Sequence, residues 1–89
     1  MQEQVQSVTF SPDGGIVIVG LVTGKWFVMD AVRREILSTH QDGNEPIQDS
    51  KFSPDGKMLA LGSRDNTIYI YQVSDDFTKY SRVGRCVVS

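Results

Sequence analysis

The pentapeptide Phe52-Ser53-Pro54-Asp55-Gly56 repeats an earlier stretch of the chain, Phe10-Ser11-Pro12-Asp13-Gly14, at an offset of 42 residues (52 − 10). The same offset aligns Gly20 with Gly62, so the correspondence extends beyond one motif. Self-similarity at a period of about 40 to 45 residues indicates a repeat architecture in which each repeat is one supersecondary unit. The chain therefore contains two copies of one unit. We place the two units at residues 1–43 and 44–89.

Each copy is predicted to form four short strands joined by tight turns. The Ser-Pro-Asp-Gly sequence suits such a turn, because proline presets φ and glycine tolerates positive φ. No stretch shows a helical period. The first copy predicts strands at Val5–Phe10, Ile16–Val19, Lys25–Met29 and Arg34–Thr39. The second copy predicts strands at Ile47–Phe52, Met58–Leu61, Thr67–Tyr71 and Tyr80–Val87.

The middle strands decide how these units pack. Ile16–Val19, Met58–Leu61 and Ile68–Tyr71 are continuously apolar, so both faces of each sheet must be covered. The connections are too short for crossover helices and require antiparallel pairing. Face-to-face stacking of small antiparallel sheets, as in a β-propeller, satisfies both conditions. We therefore expect an all-β fold of two four-stranded antiparallel blades, forming a partial or self-assembling propeller.

Three strings resemble the WD-repeat profile in their order and spacing: Phe52–Gly56, Leu59–Ser63 and Asp65–Tyr71. A closer resemblance is to the echinoderm microtubule-associated-protein-like family. It is carried by Thr23–Val28, His40–Glu45, Gly62–Tyr69 and Lys79–Cys86. This resemblance implies a cytoplasmic, cytoskeletal scaffold that binds tubulin or microtubules, with neighbouring blades or copies of itself as further partners.

The chain departs from the WD-repeat pattern at its most characteristic positions. Met29-Asp30 and Tyr71-Gln72 stand where the Trp-Asp pair is usual, and Leu61 replaces a common hydroxyl. The buried Asp-His-Ser-Trp hydrogen-bond network that the resemblance implies is therefore incomplete in this sequence. Asp65 keeps the turn acid of that network, whereas His40 is displaced by three residues from the usual position.

Composition excludes several function classes. A net charge of −2 offers no global field for nucleic acid or anionic lipid. Cys86 is the only cysteine, so an internal disulfide or a cysteine-based zinc site is impossible and a reducing compartment is expected. No apolar run approaches the length of a membrane span, and no signal peptide is expected. We therefore expect no nucleic acid partner and no membrane association.

The candidate functional residues lie in loops, which tolerate change more readily than strands. We expect a protein-binding rim formed by His40, Asp42, Asn44, Glu45, Arg64, Asp65 and Asn66. Metal binding through this set is disfavoured, because zinc needs three or four ligands and no second histidine is present. With one histidine and no nucleophile motif, the sequence predicts no enzyme, no catalytic residue and no cofactor.

Five further residues receive structural interpretations. Trp26 and Phe27 are adjacent on one strand and are expected to pack between blades rather than bind a partner. Lys79, Arg82 and Arg85 are expected to form a solvated edge strand.

Two alternatives to the microtubule scaffold remain open. One is a generic WD-repeat adaptor that binds a peptide segment. The other is a two-blade unit that assembles with copies of itself, since about three or four chains would supply six or eight blades.

Overall fold

The computed structural model describes residues 4–88. The outer ends of the two predicted units, residues 1–3 and residue 89, lie outside the described residues. Eight strands form two four-stranded antiparallel sheets, each a simple meander in chain order. The first sheet contains β1 (Val5–Phe10), β2 (Ile16–Leu21), β3 (Lys25–Asp30) and β4 (Glu35–Gln41). The second contains β5 (Ile47–Phe52), β6 (Met58–Ser63), β7 (Thr67–Val73) and β8 (Tyr80–Val87). The expected fold class is confirmed.

Several strands extend further than their apolar runs predict. β2 continues to Leu21 because that residue pairs with Val5 across the sheet. β4 begins one residue later than expected, since Arg34 has a φ of 61° and cannot lie in a strand. It then continues to Gln41, which pairs with Lys25. Cross-strand hydrogen bonds, rather than hydrophobic pattern, set these ends.

The Ser-Pro-Asp-Gly turns are held by their own side chains. The Ser11 hydroxyl donates to Asp13 Oδ1 at 2.6 Å and accepts from the Ile16 amide at 3.1 Å. The Ser11 hydroxyl, followed by the amide of Gly15, holds the pKa of Asp13 below its usual value. Gly14 supplies a φ of 76°, which glycine adopts without strain. Ser53 and its partners repeat this arrangement in the second sheet. These residues therefore act as turn residues, as expected.

The two sheets pack face to face. We call the surface that each sheet turns toward the other its near face, and the opposite surface its far face. The core between the near faces consists of Ile16, Ile18, Trp26 and Val28 together with Ile47, Phe52, Leu59, Leu61, Tyr69, Tyr71 and Val73. A smaller cluster on the far face of the first sheet consists of Val17, Val19 and Leu21 with the partly buried Phe27 and Met29. Trp26 therefore packs between the sheets as expected, whereas Phe27 lies on the opposite surface.

The sheets come closest where β1 meets β5. Ser7 Oγ donates to the Ile47 carbonyl at 2.9 Å, and Thr9 Oγ1 donates to the Ser50 carbonyl at 2.6 Å. Gly20 lies against the same strand, and a Cβ there would be 2.7 Å from Ile47 Cγ2. Only glycine fits at this contact. The two stacked sheets do not close into a ring. Residues 4–88 include no helix able to cross a membrane.

Candidate functional site

Three loops meet at one end of the two sheets. They are the β2–β3 turn (residues 22–24), the junction between the sheets (residues 42–46) and the β6–β7 turn (residues 64–66). Gln41 Nε2 donates to the carbonyls of Thr23 at 3.2 Å and Gly43 at 3.0 Å, tying the first turn to the junction. The Arg64 amide donates to the Pro46 carbonyl at 3.0 Å, tying the second turn to it. We call these three loops the rim.

Five of the seven predicted site residues are exposed on this rim: Asn44, Glu45, Arg64, Asp65 and Asn66. Asp65 Oδ1 accepts the Thr67 amide at 3.1 Å, which closes the turn. Hydrogen bonds from the Thr67 and Ser63 side chains lower the pKa of Asp65, so it is ionised at neutral pH. Asn66 adopts a φ of 67°, a conformation that asparagine tolerates better than most residues. The turn therefore presents Arg64 and Asp65 outward on a fixed backbone.

His40 lies in β4 and not in the rim loop. It pairs with Trp26 on β3, and the two rings stack at a centroid distance of 4.3 Å. Its Nε2 lies 3.0 Å from the Ser38 hydroxyl. Burial lowers the pKa of His40, while the charge of Asp42 acts in the opposite direction. The imidazole is thus a neutral, stacked member of the junction at neutral pH.

Asp42 connects the two sheets. It accepts hydrogen bonds from Trp26 Nε1 at 3.4 Å and from the Tyr71 hydroxyl. Arg82 donates to its other oxygen at 3.0 Å in an ion pair. The Asp42 side chain is only 9% exposed, whereas that of Arg82 is 48% exposed. Burial, followed by the hydrogen bond to Asp42, raises the pKa of Tyr71, so its hydroxyl remains a donor. We call Trp26, His40, Asp42, Tyr71 and Arg82 the junction cluster.

Sequence reasoning missed the junction cluster as a unit. Arg82 was expected to be an ordinary solvated residue, yet it pairs with an aspartate that is 40 positions away. Tyr71 stands where the Trp of the usual Trp-Asp pair would be, and Asp42 supplies an acceptor for it from the junction. The replaced Trp-Asp pair was the one available signal that a different polar contact must exist there. Tyr80 borders the cluster, with its ring 6.0 Å from that of Trp26.

The polar groups of this site divide into those used within the chain and those exposed on its surface. Within residues 4–88, no group of three or more His, Cys, Asp or Glu side chains is placed to hold a metal ion. Of the predicted site residues, His40 is stacked on Trp26 and hydrogen-bonded to Ser38. Asp42 accepts hydrogen bonds from Tyr71 and Arg82. The exposed rim residues are polar and of mixed charge. They are suited to hydrogen bonds and ion pairs with another macromolecule.

A family model described as "WD domain, G-beta repeat" matches residues 32–72. Among solved structures, the chain is similar to the β-propeller domain of Myceliophteria thermophila Cps50 (Swd1), with a TM-score of 0.85. That similarity has 16% identity and covers 97% of this chain and 29% of the other. Chaetomium thermophilum Sqt1, solved bound to the N-terminus of a ribosomal protein, has a TM-score of 0.79 and 29% identity, covering 93% of this chain and 21% of that one. The fold and the repeat are those of two β-propeller blades, and the chain resembles WD-repeat proteins over residues 32–72.

Comparison with curated relatives makes the resemblance more specific. Echinoderm microtubule-associated protein-like 1 of Rattus norvegicus is 49% identical over 86 residues, which are 97% of this chain and 11% of the relative. Echinoderm microtubule-associated protein-like 3 of Mus musculus is 55% identical over 78 residues, which are 88% of this chain and 9% of the relative. The chain thus resembles the echinoderm microtubule-associated-protein-like family, as its own motifs predict. It spans about a tenth of the length of these relatives.

Proposed function

We propose that the chain is a non-catalytic blade pair of a microtubule-associated WD-repeat scaffold and that its rim contacts tubulin. The observation that carries this proposal is the similarity to microtubule-associated relatives over 97% of the chain. The proposal places the protein in the cytoplasm, on the microtubule cytoskeleton. Its partners are proteins, with neither nucleic acid nor membrane among them.

The rim geometry supports protein recognition. Hydrogen bonds between loops hold the rim before any partner arrives, which lowers the entropy cost of binding. Arg64 and Asp65 project from one turn, and Glu45 lies on the adjacent junction. Such closely spaced charges of both signs favour a partner with a complementary pattern over one with a uniform field. The predicted site residues His40 and Asp42 contribute by fixing the loop from beneath.

A non-catalytic role is supported by how the possible nucleophiles are used. The hydroxyls of Ser11 and Ser53 donate to the aspartates of their own turns at 2.6 Å. The His40 imidazole is stacked on Trp26 and hydrogen-bonded to Ser38. Among these contacts, the base that each serine reaches is the aspartate of its own turn, and the lowered pKa of that carboxylate makes it a poor base for activating a nucleophile.

Co-sedimentation with taxol-stabilised microtubules tests this proposal. The wild-type chain should pellet with microtubules, and a rim variant with Asn44, Arg64 and Asn66 changed to alanine should remain in the supernatant. The matched control is Lys57→Ala, which alters an exposed residue in a turn at the opposite end of the second sheet. Wild-type protein that stays in the supernatant, or a rim variant that still pellets, would overturn the tubulin contact.

A peptide-binding adaptor is a second candidate. It is favoured by one observation, the 29% identity to Sqt1, a propeller solved with the N-terminus of another protein bound. Binding of the wild-type chain and the rim variant to an array of unstructured peptides tests it. Peptides captured by the wild-type chain and lost by the rim variant would support the adaptor. Capture that ignores the rim substitutions would count against it.

A further inference from the structure

The far faces of the two sheets have no partner within the described chain, yet the first of them is apolar. On its β1 strand, Val5, Val8 and Phe10 are 58%, 54% and 59% exposed. These side chains share a surface with Val17 and the rest of the small far-face cluster, because Phe10 pairs with Val17 across the sheet. Exposed contiguous apolar surface of this kind marks an interaction site.

The 42-residue repeat shows what this surface matches. In the second sheet, the near face carries Phe52, Leu59, Leu61, Tyr69 and Tyr71. The aligned positions of the first sheet are Phe10, Val17, Val19, Phe27 and Met29, which lie on its far face. The far face of the first sheet therefore has the chemistry of a surface that already packs on another sheet in this molecule.

The reciprocal surface lies on the second sheet. The near face of the first sheet carries Ile16, Ile18, Trp26 and Val28. The aligned far-face positions of the second sheet are Met58, Ala60, Ile68 and Ile70. The chain thus displays, at its two outer surfaces, the two halves of the interface that it buries internally.

A glycine provides the sharpest detail of this match. Gly20 accommodates Ile47 so closely that no Cβ would fit. Gly62 aligns with Gly20, but a Cβ there would meet no atom nearer than the Asp49 carbonyl oxygen, at 3.8 Å. A shallow pocket surrounds Gly62, lined by Asp49, Ser50, Lys51, Ala60 and Ile68. The residue aligned with Ile47 is the exposed Val5. The chain therefore contains both an unfilled pocket at Gly62 and, at Val5, a branched apolar side chain of suitable shape for it.

The polar contacts between the sheets have partial counterparts at the outer surfaces. Thr9 donates to the Ser50 carbonyl in β5 and aligns with Lys51, whose ammonium is also a donor. Ser7, the other donor, aligns with Asp49, whose carboxylate can only accept. A carboxylate facing a carbonyl oxygen is unfavourable. Asp49 is therefore expected to weaken docking at this surface.

We infer that a second copy of this chain docks head to tail on the first, with its Val5 seated at Gly62. The far face of the first sheet of the docked copy covers the far face of the second sheet of the original copy. This contact repeats the interface that the two sheets form within one chain. Such a heterologous contact either closes a ring or continues into an open array. Closed propellers use about four to eight blades, which corresponds to about two to four copies. The inference does not rest on tubulin binding, because it is argued from the outer faces of the sheets.

Analytical ultracentrifugation of the 89-residue chain tests this inference, since the monomer mass is 9.9 kDa. The wild-type chain should sediment as multiples of that mass, increasing with concentration. Gly62→Val fills the pocket on the far face of the second sheet, and Phe10→Lys places a charge on the far face of the first sheet. Each variant should therefore be monomeric. Gly15→Lys is the control, because the aligned Lys57 occupies the same turn position without disturbing it. Fluorescence of the buried Trp26 verifies that each variant is folded.

Mixing the two monomeric variants makes the test specific for orientation. The Gly62→Val variant keeps an intact far face on its first sheet, and the Phe10→Lys variant keeps an intact far face on its second sheet. The two variants together should therefore form a one-to-one dimer and nothing larger. Asp49→Ser restores the missing donor and should tighten wild-type association about tenfold, the value of roughly one hydrogen bond. If the wild-type and Asp49→Ser chains are both monomeric, the inference is wrong. That result would indicate that these faces are covered by further blades of a longer chain. A mixture that stays monomeric, while the wild-type chain associates, would overturn the head-to-tail geometry.

Discussion

Replacing Asp42 with alanine is the most informative perturbation of this fold, because it removes an acceptor that three donors share across the two sheets. The Tyr71 hydroxyl would be left unsatisfied in a buried position, at a cost of about 1–3 kcal/mol. Trp26 Nε1 would lose a longer and weaker bond at 3.4 Å. The Arg82 pair is half exposed and contributes at most about 1 kcal/mol. We expect the free energy of unfolding to fall by about 3 kcal/mol in total.

Urea unfolding followed by Trp26 fluorescence measures this loss, since Trp26 is the only tryptophan. The measurement belongs in the Gly62→Val background, so that self-association does not add to stability. Tyr71→Phe alone should cost about 1 kcal/mol, and the double variant should be less destabilised than the sum by about 1–2 kcal/mol. Strictly additive losses, or a loss below about 1 kcal/mol for Asp42→Ala, would refute the role assigned to this carboxylate.

Three further predictions concern pH, turn strain and the core. Because burial lowers the pKa of His40 in the folded state, the unfolded chain binds a proton first as pH falls below about 6.5. Stability should therefore decline from that pH down to the lowered folded pKa, and His40→Gln should remove this decline in urea titrations at successive pH values. Gly14→Ala should cost about 1 kcal/mol because φ is positive with open space around it. Gly56→Ala should cost more than Gly14→Ala when both variants are measured by thermal unfolding, since the new Cβ would lie 3.0 Å from the Phe77 ring; equal losses would contradict this. Leu61→Ala, at a fully buried position, should cost about 2–5 kcal/mol in urea unfolding, and a loss under about 1 kcal/mol would be inconsistent with its place in the core.

The fold was largely predictable because its signals are local. The Ser-Pro-Asp-Gly turns require only side chains within a few residues of one another, as the bond from Ser53 to Asp55 shows. The continuous apolar strands required cover on both faces, and β2 is buried at all six of its positions. Strand ends were less predictable, because the pairing of Lys25 with Gln41 depends on the neighbouring strand and not on the sequence of β4 itself.

The candidate site was predictable only in part. The repeat and the turn residues indicated which loops form a rim, and the structure brings those loops together through Gln41 and Arg64. Side-chain direction was not predictable, and it divides the seven residues into two kinds. His40 and Asp42 turn toward the junction because a ring for stacking and a buried phenol are available there, on Trp26 and Tyr71. The remaining five find no such partners nearby and remain exposed.

By itself, the sequence determined the repeat, the antiparallel blades and the turns, since each depends on contacts between residues close in the chain. Only the tertiary structure decided which side chains cross from one sheet to the other. Arg82 and Asp42 are 40 residues apart, and no local pattern relates them. The same holds for Gly62. The open space beside it is recognised as a possible binding pocket only because the aligned Gly20 contacts Ile47. Contacts between sheets join residues far apart in the chain, so they depend on the relative position of the two sheets in space and not on local sequence.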